Sequence, residues 1–187
     1  MPERSAFSLF QQRKWESPMA DEYTDAIALL KADHRKVEHL FASFESAKDK
    51  ARKEKLARQI CTELKVHTMI EEEIFYPAFE GKIEEDILAE AYVEHDGAKV
   101  LINDIEAGGE GDDYYDAKVK VLQEQIEHHV KEEEQPKEGM FAQCRDTDVD
   151  LVAMRDRMLA RKEELMAQAE GEGLPPARLT AVDLTPA

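Results

Sequence analysis

Apolar residues recur along most of this chain at three- and four-residue intervals, the spacing of one face of an α-helix. Ala26, Ile27, Leu29 and Leu30, followed by Val37, Leu40, Phe41 and Phe44, predict a first helix over roughly 22–48. Asp21 and Glu22 put acid at its start, where the helix dipole favours negative charge. Leu56, Ile60, Leu64, His67, Ile70 and Ile74 mark a second helix from about residue 50, which Pro77 must end. After a turn at Gly81, the residues Ile87, Ala91, His95, Ala98, Ile102 and Ile105 form the inner stripe of a third helix over about 83–107. Gly108, Gly109 and Gly111 make a turn by composition. A fourth helix then runs from about 112 to just before Pro136, carrying Val119, Leu122, Ile126, His129 and Glu133. A last amphipathic stretch, about 148–170, has Leu151, Met154, Met158 and Leu165 on one side and alternating charge on the other, which suits packing outside a bundle.

Four helices joined by short turns become antiparallel neighbours, so the expected fold is all-α: an up-down-up-down four-helix bundle over 21–136 with an additional C-terminal helix. Residues 137–170 are then a connector and that helix. The first 20 residues are expected to be a mobile segment, and 171–187, with Pro175-Pro176, a disordered tail.

At 187 residues and 42% hydrophobic content the chain is long enough for one domain with a core. A net charge of -17 argues against nucleic-acid and anionic-membrane partners, which select for Lys and Arg clusters. No apolar run reaches the roughly 18–20 residues that span a bilayer, and the N-terminus lacks the apolar core of a signal peptide. A cytoplasmic location is the expectation. Cys61 and Cys144 lie outside any metal-ligand spacing and read as ordinary buried thiols.

The candidate chemistry lies in a repeated pattern. His67 and Glu71 are separated by one helical turn, as are His129 and Glu133, so each pair projects from one face. Upstream of each pair stands a lone histidine preceded by an acid, Asp33-His34 and Glu94-His95. Glu71 and Glu133 point by periodicity into an apolar core, where an unpaired carboxylate costs several kcal/mol. Four His and two Glu are enough to hold two metal ions, and imidazole with carboxylate suits a transition metal rather than calcium or magnesium. Two other readings compete. The histidines could be core residues satisfied by neighbouring carboxylates. The bundle could instead be ferritin-like, although that family places Glu before His, with separate Glu ligands on its other helices.

Asp33-His34, the run from His67 through Glu71 to Pro77, Glu94-His95 and the run from His129 through Glu133 and Glu134 resemble the hemerythrin family, in particular its bacterial HHE cation-binding branch. The resemblance implies two iron ions with an oxo or hydroxo bridge, one held by His34 and His67 and the other by His95 and His129, with Glu71 and Glu133 joining them. Two departures from the oxygen carriers stand out. Lys99 occupies the position where helix three of those proteins supplies a further His, and Glu133 follows its His by four residues where they have Asp at five, the place of Glu134 here. The expected function is therefore reaction with, or sensing of, peroxide, nitric oxide or dioxygen. Peroxide decomposition, a catalase-like oxidoreductase activity, is the leading reaction, and a dioxygen- or iron-binding carrier or sensor without turnover is the alternative. Partners would be these small molecules. Glu38, Glu72 and Lys99 are candidates for handling protons, and Glu38, Tyr92, Lys99 and Glu134 for contacting the centre, with core packing the expectation for Tyr92 and a place at the rim or beside Lys99 for Glu38. His39 reads as a surface residue, and His128 as a surface residue or one that supports a ligand.

Overall fold

The computed structural model describes residues 23–109 and 111–184. The expected mobile segment over 1–20, with Asp21 and Glu22, lies outside the described residues. Within them all regular structure is helical: α1 (Ala26–Ser46), α2 (Lys50–Ile70), α3 (Glu85–Ala107), α4 (Tyr115–Glu134), α5 (Met140–Arg145) and α6 (Leu151–Gly171). Side-chain caps set three of the starts. Asp25 accepts from the N–H of Ala28, Asp49 from Arg52, and Asp150 from Val152 and Ala153. The α1 cap therefore fixes its first turn at Ala26 rather than near residue 22.

α2 ends before its apolar pattern does. Pro77 has no N–H to offer the carbonyl of Glu73, and its ring would collide with that carbonyl in an α-helix. The chain widens just upstream. Glu71–Phe75 form a π turn in which the N–H of Tyr76 bonds to the carbonyl of Glu71, and Tyr76–Ala78 close as a 3-10 turn.

α1 packs on α2, α2 on α3, and α3 on α4. α1 meets α4 where Lys31, His34 and Arg35 converge on Glu134, which closes the bundle. The apolar core is divided in two: Ile27, Leu30, Ile70 and Phe75 belong to one cluster, and Phe41, Ile60, Ile102 and Leu122 to the other. Along α1 and α3 the histidine falls between the residues of the two clusters, and on α2 His67 lies just past the change from one to the other at Leu64 and Val66, so His34, His67 and His95 lie in a buried polar layer between them.

α5 forms within the expected connector. Gly139 lets it press against the end of α4, since a Cβ there would lie 2.6 Å from the carbonyls of both Glu132 and Gln135. It sets the Phe141 ring parallel to His34 at 5.9 Å. α6, the expected C-terminal helix, packs on α1 and α2 through Met154, Met158 and Leu165. The segment beyond it, expected to be a disordered tail, is instead bound to the bundle as far as the described residues extend. Asn103 and Ala177 exchange hydrogen bonds of 2.8 and 2.7 Å. The N–H groups of Thr180, Ala181 and Val182 converge on the carboxylate of Asp96, and Lys65 reaches the carbonyl of Leu174. Composition pointed to disorder because the segment is poor in large apolar side chains, and polar groups of α2 and α3 hold it in their place. No helix among the described residues is long and apolar enough to cross a membrane.

Candidate metal centre

The structure brings together all six residues singled out by spacing. His34 from α1, His67 from α2, His95 from α3, His129 and Glu133 from α4, and Glu71 from the π turn are each no more than 5% exposed. The Nε2 atoms of His34 and His67 are 3.2 Å apart, and those of His95 and His129 are also 3.2 Å apart. Glu71 Oε2 lies 3.1 Å from His67 Nε2 and 3.3 Å from His95 Nε2. Glu133 Oε2 lies 3.3 Å from His34 Nε2 and 3.6 Å from His129 Nε2. Each glutamate therefore touches both histidine pairs, and the halves of the centre are related by an approximate two-fold.

A second ring of carboxylates orients the imidazoles. His34 Nδ1 is 2.8 Å from Glu134, His95 Nδ1 is 2.9 Å from Glu72, and His129 Nδ1 is 2.8 Å from Glu94. His67 Nδ1 faces Asp33 at 3.7 Å. The acid after each inner glutamate thus serves the lone histidine of the other half, and the acid before each lone histidine serves the other member of its pair. Three of these four carboxylates are covered from outside by basic side chains. Lys162 of α6 pairs with Asp33, Lys99 with Glu72, and Lys31 and Arg35 with Glu134.

This donor set fits a metal pair. An imidazole that gives its Nδ1–H to a carboxylate presents an Nε2 lone pair; with His34, His95 and His129 held in that way, the Nε2 atoms of each histidine couple are crowded together at 3.2 Å. Glu71 Oε1 and Glu133 Oε2 are buried with no hydrogen-bond donor. Cations between these atoms relieve both defects. Without them protons must serve. Burial disfavours the His67 cation, but the charge of Glu71 and the proximity of Asp33 outweigh it and raise its pKa to about 10. His129, likewise opposed by burial, is raised to about 9 by Glu133 and Glu94. The Glu71 carboxyl, despite its burial, is held well below the usual range by His67 and His95.

Tyr76 belongs to the centre and periodicity did not place it there. Its hydroxyl is fully buried, 3.1 Å from Glu133 Oε1, 3.2 Å from His95 Nε2 and 3.5 Å from Glu71 Oε2. In a regular α-helix the fifth residue after Glu71 turns away by about 140°, whereas the π turn brings it back to the same face. Pro77, immediately after it, is the one sequence signal of that change. The other candidates lie farther out. Lys99 is buried but its ammonium turns to Glu72 and Asp96, so it does not stand in for the absent histidine. Glu38 is exposed and pairs with Arg35. Tyr92 packs its ring on Tyr76 at 5.2 Å, and His39 and His128 are exposed as expected. Both cysteines are free and buried, and burial pushes the Cys61 thiol up to about 12.

Beside the imidazoles is a small cavity of about 10 Å³, walled by Val37, Leu64, Ile126 and Val130 together with the four histidines.

Comparison with known proteins agrees with this geometry. A sequence model of the hemerythrin HHE cation-binding domain matches residues 25–136. The crystal structure of a hemerythrin HHE cation-binding domain-containing protein from Mycobacterium kansasii superposes with a TM-score of 0.64 at 20% identity, covering 80% of this chain and 94% of that one. That likeness shows the fold. A protein of a Nostoc species described as a DNA nickase is 28% identical over 106 residues, which is 57% of this chain and 30% of the relative.

Proposed function

Because this chain belongs to the hemerythrin HHE cation-binding domain family, we propose that its buried centre holds two iron ions and that the loaded protein decomposes hydrogen peroxide to water and dioxygen. One ion would lie against His34 and His67, the other against His95 and His129, with Glu71 and Glu133 reaching both. The observation that carries this reading is the pair of Nε2 couples at 3.2 Å, each flanked by the same two carboxylates. Redox-active ions held there would supply the electron exchange that turns one peroxide into water and another into dioxygen.

The protein's own groups would do the rest. A cavity of about 10 Å³ is near the size of one water probe, so it selects peroxide, dioxygen or nitric oxide over any organic substrate. Its Val, Leu and Ile walls keep bulk water out. Tyr76 holds a proton at its hydroxyl: burial, then the charges of Glu133 and Glu71, keep the phenol protonated. Its position against Glu133, His95 and Glu71 places that proton where it can be handed to a departing oxygen and taken back. The free thiols of Cys61 and Cys144 suit a cytoplasmic site of action. A surface carrying net charge -17 repels a phosphate backbone, so the DNA chemistry named for the Nostoc relative is not extended to this chain.

The test is oxygen evolution from hydrogen peroxide by iron-loaded protein, with Tyr76→Phe beside it. Sustained turnover over many equivalents, reduced roughly a hundredfold by Tyr76→Phe, is the expected result. A spectral change of one equivalent without continued oxygen release would replace this reading with that of a carrier or sensor.

A further inference from the structure

Of the four carboxylates behind the imidazoles, Glu94 alone is not covered by a lysine or arginine among the described residues; it meets a histidine instead. His128 and Glu132 stand one turn apart on α4, and with Glu94 of α3 they bring ligand atoms within 4.8 Å of one another. His128 Nε2 is 3.2 Å from Glu132 Oε1 and 3.4 Å from Glu94 Oε1. The other oxygen of Glu94 holds His129 Nδ1 at 2.8 Å, so a single carboxylate joins this exposed group to the buried centre.

A cleft of about 160 Å³ opens at the same place. Glu90, Glu94, Glu132 and Glu138 line it, His129 and Glu133 stand at its inner end, and no lysine or arginine is among its walls. Glu133 is 1% exposed and its Oε2 has no hydrogen-bond donor. Carboxylates met by histidine but by no lysine or arginine among the described residues, leading inward to a buried oxygen without a donor, concentrate cations. The other three approaches are closed by Lys162, by Lys99 with Thr180, and by Lys31 with Arg35.

We propose that Glu94, His128 and Glu132 form an additional, exposed cation site that captures a divalent transition-metal ion and passes it through this cleft to the buried centre. One imidazole and two carboxylates select such ions over calcium or magnesium. Three ligands at the surface make the site weak, as a transfer station must be if its ion is to move on. The proposal rests on the reading of the buried residues as a metal pair.

The probe is Co2+ added to chelator-treated, full-length protein, with stoichiometry from equilibrium dialysis and loading followed by absorption. The wild type should bind two tight equivalents and a weaker third. His128→Ala/Glu132→Gln should lose the third and fill the tight pair roughly tenfold more slowly, the scale of electrostatic capture, while reaching the same final tight stoichiometry. Glu124→Gln, exposed on the same helix, should load like the wild type. Retention of the third equivalent, unchanged loading in the double variant, or equal slowing by Glu124→Gln would overturn the proposal. Failure of the underlying reading looks different: the wild type would then show no tight pair sensitive to His67→Ala, and the loading role would fall with it.

Discussion

A phenol placed against two buried carboxylates keeps its proton, and its loss strands an acceptor. Tyr76→Phe removes the hydrogen bond to the buried Glu133 Oε1. The metal-free variant should lose about 1–3 kcal/mol in chemical denaturation, and an unchanged midpoint would show that Glu133 finds another donor. His67 and His129 carry the pH dependence. Their folded pKa values of about 10 and about 9 lie above the ordinary imidazole value near 6.5. Their contribution to metal-free stability is therefore complete below about pH 6.5 and is lost as pH rises through 9 to 10. The melting temperature of chelator-treated protein should fall across that window. Metal-loaded protein, whose ligand imidazoles must already be neutral, should not show the decline. The six inner residues could be read from the sequence because His and Glu one turn apart share a face in any α-helix. Tyr76 could not, because the π turn that Pro77 accompanies changes the periodicity on which such a reading depends.

At the level of elements, the bundle is braced by pieces that contribute no inner residue. α6 delivers Lys162 to Asp33 and Arg161 to Glu73, and α5 sets Phe141 against His34. The segment after α6 ties Thr180 to Glu72, the carboxylate partner of His95, and to Asp96, the residue that follows that histidine. Asp96→Ala deprives the N–H groups of Thr180, Ala181 and Val182 of their shared acceptor. Limited proteolysis should then cut within 173–184 at protease levels that leave the wild type intact, and equal resistance would mean that Asn103 and Lys65 suffice to hold the segment. The helices themselves were legible from apolar spacing to within a few residues. The bound C-terminal segment was not, since its attachment depends on buried polar groups of α2 and α3 that no local pattern in the segment reveals. α5 was missed for a related reason: six residues carry too little periodicity to stand out, and its formation depends on the close approach that Gly139 permits.

Across the whole molecule, a polar layer parts two apolar clusters, and the fold is stable only if that layer is neutralised. Four inward imidazoles and two carboxylates are ringed by four further acids; Lys162, Lys99, Lys31 and Arg35 cover three of those, but among the described residues no lysine or arginine reaches the two inner glutamates, whose charge falls on the imidazoles alone. Metal ions held at the centre would supply that charge where the two inner glutamates need it. The most direct test is metal analysis with an absorption spectrum of aerobically purified protein, alongside the His67→Ala/His129→Ala variant. The account predicts about two irons per chain with near-ultraviolet charge-transfer absorption, both lost in the variant while helical content is kept. Protein without metal, or with metal that survives the double substitution, would contradict it.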